Sequence, residues 1–324
     1  MSPDNLPRTF EELLGPALMG ALDRLDVHSR RVFAGRMPGE RRSKSRGQSV
    51  EFDDYREYTP GDDLRHLDWN VFARFDRFVV KLFREDRDLS VRVVLDATGS
   101  MLAGEPCNLV TAARLAAAVG YVGLMKQNRV SVSVLTHDGV VGLAPMRGRR
   151  SVQRMGAFLL EVLDDAARGA GMNGGAHAGV GGEGFNGALT RIASDRLAGQ
   201  GVVFLISDLM VREGWTRGLD ALSAARGFDA AVLQVLSPDE LDPMLAIERG
   251  FAGDLRLTDV ESGRGAEVTV SAQMVKRYRE RLGQFIGQLE RDCHARGMLH
   301  RVVASDADVG GLITGELRRR GLFV

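Results

Sequence analysis

Val91-Arg-Val-Val-Leu-Asp96-Ala-Thr98-Gly-Ser100-Met101 is an apolar run that closes on a carboxylate and two hydroxyls. A short stretch of Val and Leu ended by a Gly turn suits a strand buried on both faces. The helical pattern after Pro106 suits a crossover that packs back onto it. Together they specify an open α/β sheet. Such sheets bind ligands beyond the carboxyl ends of their strands, where Asp96, Thr98 and Ser100 fall at alternate positions on one side. A carboxylate with two hydroxyls offers hard oxygen donors. Mg²⁺ or Mn²⁺ takes such donors and completes its shell with water, so a divalent cation is the natural candidate ligand.

Composition narrows what surrounds this strand. The 324 residues are enough for one large domain or two ordinary ones, and 44% hydrophobic with 27% charged residues describes a soluble globular chain. Lys plus Arg and Asp plus Glu both total 43, so no overall field recruits nucleic acid or an anionic membrane. Cys107 and Cys293 are too few for a disulfide framework and favour a reducing compartment. No signal-peptide pattern opens the chain, and apolar stretches such as Leu115 to Met125 fall short of a bilayer span. The expectation is a cytoplasmic protein without a transmembrane segment.

Ahead of the strand, Leu13, Leu14, Leu18, Leu22 and Leu25 form one apolar stripe, predicting a helix over 11–25. Residues 30–46 hold six Arg and Lys44 against Glu40 alone, broken by Pro38 and Gly39. This segment reads as a solvated connector or as a docking patch for an acidic partner. Residues 51–74 mix Asp and Arg with Phe52, Tyr55, Tyr58, Trp69 and Phe72 around a Pro60-Gly61 turn. That stretch reads as a lid held by ion pairs or as a partner-docking surface, with Asp62, Asp63, Arg65 and Trp69 as contact residues. Residues 78–85 alternate like an edge strand.

The run from Arg41 through Ser49-Val-Glu-Phe-Asp-Asp-Tyr-Arg-Glu-Tyr-Thr-Pro60-Gly-Asp-Asp-Leu-Arg-His-Leu-Asp-Trp69-Asn resembles the signature of the bacterial domain-of-unknown-function family 58. The resemblance extends from about residue 35 to the C-terminus. It implies a von Willebrand factor A-type, Rossmann-like fold, with a mostly parallel sheet flanked by helices, preceded by an N-terminal helix and a small aromatic-acidic lid. The corresponding division is an N-terminal segment at 1–34, the signature region at 35–88 and the A-like domain at 89–324. The resemblance also implies a MoxR-type AAA+ ATPase and a client protein as partners, in protein maturation or metal insertion.

The family's metal-ion-dependent adhesion site maps onto this chain only in part. Asp96-Ala-Thr98-Gly-Ser100 matches the first loop, with Thr in place of the usual first Ser, and Val202 to Asp208 matches the third as a second buried strand ending in a carboxylate. The second loop reads Gly184-Phe185-Asn186-Gly187, placing an aromatic ring where the pattern has a ligand hydroxyl. Water can take that position beside Mg²⁺, and Asn186 is a further possible ligand if Phe185 turns outward. The other reading has Asp96 and Asp208 accept hydrogen bonds from nearby backbone N–H groups without a cation.

The remaining chain predicts scaffold. Helices are expected at 109–126, at 151–165 behind a Ser151 cap, at 215–226, at 275–296 and at 309–320 behind a Ser-Asp-Ala-Asp cap at 305–308. Hairpins are expected at 130–144 and at 255–270, and strands at 229–236 and 299–304. Residues 168–187 contain two G-x-G-x-x-G matches, but neither follows a strand, so they read as loop and not as a dinucleotide site. No G-x-S-x-G elbow, H-E-x-x-H pair or P-loop Lys is present, and Thr98 stands where a dehalogenase-type phosphatase needs a second Asp. A non-enzymatic binding module is therefore expected, the alternative being a metal-dependent phosphohydrolase using Asp96 and Asp208.

Overall fold

The computed structural model describes residues 6–30, 51–60, 62, 64–84, 89–168, 184–194, 201–225, 227–248, 254–258, 265–269 and 272–324. The chain forms two compact units, Met1–Arg31 with Leu89–Val324, and Val32–Asp88. The N-terminal segment thus belongs to the sheet-bearing unit. Within it the predicted single helix is two, α1 (Phe10–Leu14) and α2 (Pro16–Leu22). Gly15 turns at φ 75° and Pro16 follows, which stops one helix and starts the next. Leu13, Leu14, Leu22 and Leu25 are buried all the same.

In the second unit, β1 (Glu51–Glu57), α3 (Trp69–Phe75) and β2 (Val79–Arg84) fill what the sequence presents as lid. β1 and β2 pair antiparallel, with a bulge between Phe52 and Asp54. The Asp68 carboxylate opens α3 by accepting from Asn70 and Val71 N–H. Phe72 stacks on Phe78 with ring centroids 4.2 Å apart, and Tyr58 lies against Phe78. The expected aromatic core is only partly closed, since Tyr55 and Trp69 are exposed.

The larger unit continues with β3 (Ser90–Asp96), α4 (Asn108–Met125), β4 (Arg129–Thr136), β5 (Gly139–Met146) and α5 (Ser151–Ala167). Then follow α6 (Phe185–Ser194), β6 (Gly201–Ser207), α7 (Thr216–Ala224), β7 (Phe228–Leu236), α8 (Pro238–Leu241) and α9 (Pro243–Glu248). The strands β8 (Asp254–Thr258) and β9 (Gly265–Thr269), α10 (Ala272–Ala295), β10 (Leu299–Ala304) and α11 (Val309–Gly311) complete it, α11 running on into a wider turn at Leu312–Leu317. Six strands make one sheet in the order β10-β7-β6-β3-β4-β5, parallel except for β5. This is a mixed α/β, Rossmann-like architecture. β8 and β9 pair separately and antiparallel. Asp308 caps α11 through Gly310 and Gly311 N–H, as predicted. Ser151 does not cap α5; its hydroxyl donates to the Arg147 carbonyl from inside the first turn.

Period-two alternation divides the sheet's side chains between two cores. Val91, Val93 and Leu95 of β3 meet α1, α2, α4 and α5 on one face, while Val94, Val203, Leu205 and Val232 meet α6, α7 and α10 on the other. β3 is buried along its whole length. Gly201 lets β6 close on it, because a side chain there would fall on the Ser90 carbonyl. Arg30 clasps the N-terminal segment to β7. The buried Asp229 carboxylate accepts from its backbone N–H (2.8 Å), Nε (3.0 Å) and Nη2 (2.6 Å).

One sequence expectation changes at α4. Its 18 residues have a mean hydropathy of 1.3, enough by length and composition to cross a membrane, yet 83% of the helix is buried within the fold. Sandwiched between the sheet and α5, it is apolar all round because it is covered all round.

Candidate functional site

From β3 the chain moves to β4 and β5 on one side, then returns to place β6 on the other. The carboxyl ends of β3 and β6 therefore flank the point where strand order reverses, which is where open α/β sheets leave a crevice. Asp96 ends β3, and Asp208 directly follows β6. The topology brings the two carboxylates together.

Asp96 is almost wholly buried, and both of its carboxylate oxygens accept hydrogen bonds. Its Oδ1 accepts from Thr98 N–H (3.0 Å) and the Thr98 hydroxyl (2.7 Å), and its Oδ2 from the Ser207 hydroxyl (2.5 Å). The Thr98 and Ser100 oxygens lie 3.3 Å apart, and the Ser100 hydroxyl also bonds Asp208. The first-loop triad is thus assembled with its hydroxyls half-buried at the rim. Asp208 is arranged otherwise. Oδ1 accepts from Met210 N–H at 2.8 Å, while Oδ2 is buried with no hydrogen-bond partner. Leu209, next in the chain, is buried in the left-handed region at φ 58°. A branched residue held there marks a loop whose shape is imposed by its surroundings.

Electrostatics follow from this geometry. Burial, outweighing the Ser207 and Thr98 donors, raises the Asp96 carboxyl above its ordinary value. Asp208 is pushed up to about 7, first by burial and then by the charge of Asp96, with Glu240 adding to the rise. No Arg, Lys or His among the described residues contributes to either shift. Among the described residues no three His, Cys, Asp or Glu side chains gather into a metal cage. The donor set nevertheless fits a hard cation. One unpartnered carboxylate oxygen, a second carboxylate and two hydroxyls would hold Mg²⁺ or Mn²⁺ with water completing the shell.

The second-loop residues lie at the start of α6. Phe185 packs against the apolar cluster under α6 and α7. Asn186 is buried and joins those helices: its side-chain oxygen accepts from Gly218 N–H (2.6 Å) and its amide donates to the Gly214 carbonyl (2.8 Å). Glu213 accepts from Asn186 N–H at 3.1 Å. With both its side-chain atoms so engaged, Asn186 serves here as a bracket between helices.

In the smaller unit, Asp62 accepts from Thr59 N–H (2.8 Å) and the Thr59 hydroxyl (2.9 Å) and pairs with Arg56 at 2.8 Å. The Thr59 backbone bond first, then Arg56, holds its carboxyl below the usual range. Arg65 is exposed, and Trp69 is 59% exposed and set T-shaped against Phe72. Asp63, residues 31–46 of the basic run and residues 169–183 of the glycine-rich stretch lie outside the described residues.

Sequence reasoning passed over three residues of the strand-end neighbourhood. Ser207 bonds Asp96; Gln234, fully buried on β7, donates from Nε2 to the Asp208 carbonyl at 3.0 Å; Glu240 closes the capping box of α8 and accepts from Asn108 Nδ2 at 2.7 Å. A lone Gln in the otherwise apolar run Ala230 to Leu236 was the available signal, because a buried amide demands partners.

Comparison with known proteins shows what the chain is similar to. A family model described as protein of unknown function DUF58 matches residues 54–284. Uncharacterized proteins of Mycobacterium tuberculosis (Rv1480) and Mycobacterium bovis (Mb1516) are 28% identical over 259 residues, covering 79% of this chain and 74% of theirs. Among solved structures, the conserved hypothetical protein BatB from Bacteroides thetaiotaomicron aligns with a TM-score of 0.39 at 16% identity, over 71% of this chain and 98% of its own. An aerotolerance-related membrane protein from Bacteroides fragilis aligns at 0.37 and 17%, over 71% and 97%.

Proposed function

The chain belongs to the DUF58 family of proteins of unknown function, and from that premise we propose that it is a non-enzymatic protein-binding module that captures a partner at the crevice between β3 and β6. The observation that carries this reading is the unpartnered, buried Asp208 Oδ2 beside Asp96, with the Thr98 and Ser100 hydroxyls at the rim. A divalent cation held there by Asp96, Thr98, Ser100 and Asp208 would neutralise the pair and leave a coordination position for an acidic side chain from outside. In that arrangement the protein positions the cation and the partner supplies the last ligand. The exposed aromatic-acidic surface around Arg65 and Trp69 adds contact area of its own. The family resemblance points to a MoxR-type AAA+ ATPase and its client protein as the partners, with this chain as adaptor, and the absence of a recognised catalytic motif agrees with a binding role.

Calorimetric titration of Mg²⁺ and Mn²⁺ into the purified protein, with Asp96→Ala as control, tests the site. Saturable binding abolished by the substitution is the expected result. Co-purification with a co-expressed MoxR-type ATPase, dependent on the cation, tests the partner. Cation-independent failure to recover the ATPase would refute the adaptor role, and turnover of phosphoesters with Mg²⁺ or Mn²⁺ would replace binding by hydrolysis.

A further inference from the structure

We propose that Gln234, anchored by His300, is the positioning residue that sets the shape of the Asp208 loop and, on the strand-end reading given above, the affinity of that site. Asp96, Ser207, Gln234 and His300 stand on four adjacent strands, β3, β6, β7 and β10, all on the face whose other residues pack under α6, α7 and α10. Ser207 and Gln234 are register partners, while His300 stands opposite Val232, two residues along β10 from Val302, the partner of Gln234. Polar side chains gathered on an apolar face need a shared purpose, since each buried polar group must find a partner. They find it in one another and in the loop. Ser207 Oγ donates to Asp96 and accepts from Leu209 N–H at 2.9 Å. Gln234 Nε2 donates to the Asp208 carbonyl at 3.0 Å, and Gln234 Oε1 lies 3.1 Å from His300 Nε2.

The donor sense of this line is fixed from one end. A backbone carbonyl only accepts, so Gln234 must present its amide nitrogen to Asp208 and its oxygen to His300. His300 Nε2 must therefore carry a proton, whichever charge the ring holds. The ring locks the amide orientation, and the amide pins the carbonyl of the residue whose carboxylate faces the crevice. The next residue, Leu209, sits in the left-handed region. Its N–H goes to Ser207 and its carbonyl accepts from Val211 N–H, so the loop is gripped on both sides of the strained residue. Gln234 touches neither the crevice nor a partner; it acts through Asp208.

The test compares the intact chain with Gln234→Met, which keeps the side chain's length and removes its hydrogen bonds. Manganese affinity is read by calorimetry, and the amide resonances of Leu209 and Met210 are read after selective ¹⁵N-Leu and ¹⁵N-Met labelling. The expected result is displaced Leu209 and Met210 resonances and at least tenfold weaker manganese binding. Should Gln234→Met fail to fold, His300→Ala removes the outer anchor from a half-buried position. It is expected to displace the same two resonances and weaken binding two- to fivefold. If the native protein binds no manganese yet the resonances move in either variant, the positioning role stands and the cation reading of the crevice falls. Unmoved resonances, or a lowered melting temperature with native manganese affinity, would overturn the proposal and leave Gln234 as packing.

Discussion

Asp208→Asn is expected to stabilise this protein at neutral pH, and to do so by an amount that depends on pH. The carboxyl rises from 3.8 to about 7 in the folded chain, chiefly through burial and the neighbouring charge of Asp96. Between those values the unfolded chain has released the proton and the folded chain still holds it. The folded state binds more protons, so the free energy of unfolding falls as pH rises through this window, by about 1.4 kcal/mol per unit. Over the whole interval the loss comes to about 4 kcal/mol, complete a little above pH 7 and absent below pH 4. Asparagine carries no such proton. It can keep the contact to Met210 N–H through its oxygen and place its NH₂ where Oδ2 has no partner. Asp96→Asn lacks this advantage, because both Asp96 oxygens already accept and an NH₂ would face a donor. Urea unfolding of the native chain and of Asp208→Asn in metal-free buffers from pH 4.5 to 8 measures the effect. The two stability curves should meet at the acidic end and separate steadily toward pH 8, with Asp208→Asn the more stable. Parallel curves would refute the argument, because they would mean that Asp208 titrates alike in both states.

Arg30→Ala should lower stability by about 3 kcal/mol, since it strips two charged hydrogen bonds from a fully buried Asp229; a loss below 1 kcal/mol in denaturant melts would show that the clasp is idle. Gly201→Ala should yield little folded protein on expression, because its methyl would collide with the Ser90 backbone and part β6 from β3. Phe185→Ala should cost about 2 kcal/mol through lost packing while leaving cation affinity in calorimetry at the native value, the ring being committed to the apolar cluster. A maleimide should label Cys107 in the native protein and reach Cys293 only on unfolding, as mass spectrometry would record; burial pushes the Cys293 thiol up to about 12.

The alternation of buried strands and helices was legible because strands covered on both faces read as short, largely apolar runs, broken in these strands only by Arg92 and Gln234. Val91–Leu95, Val202–Ile206 and Ala230–Leu236 could hardly be anything else. β1 was not legible. Its sequence, Glu-Phe-Asp-Asp-Tyr-Arg-Glu, mixes acidic, aromatic and basic residues without period-two alternation, a composition that resembles a turn-rich loop. Reading 11–25 as one helix followed the leucine spacing and overlooked the Gly15-Pro16 break. At the crevice, Asp96, Thr98 and Ser100 were readable because they fall at alternate positions within five residues, and Asp208 because it directly follows a neighbouring apolar strand. Ser207, Gln234 and His300 were not, since their meeting depends on strand order and contacts that span 26 to 111 residues. Nor could spacing show that Asn186 spends its amide between two helices.

The all-round burial of α4 also governs how the chain must be made. Asn108–Met125 leaves the ribosome long before β6 and β7, whose side chains help to enclose it. At ordinary synthesis rates the interval from Met125 to Leu236 is roughly 5 to 20 s. For that time the nascent protein displays a segment that by length and composition resembles a membrane anchor. Its successful folding is a race between the arriving half of the sheet and every apolar surface in the cell, and stalling or truncation before Gly201 leaves exposed an apolar helix that the finished fold covers.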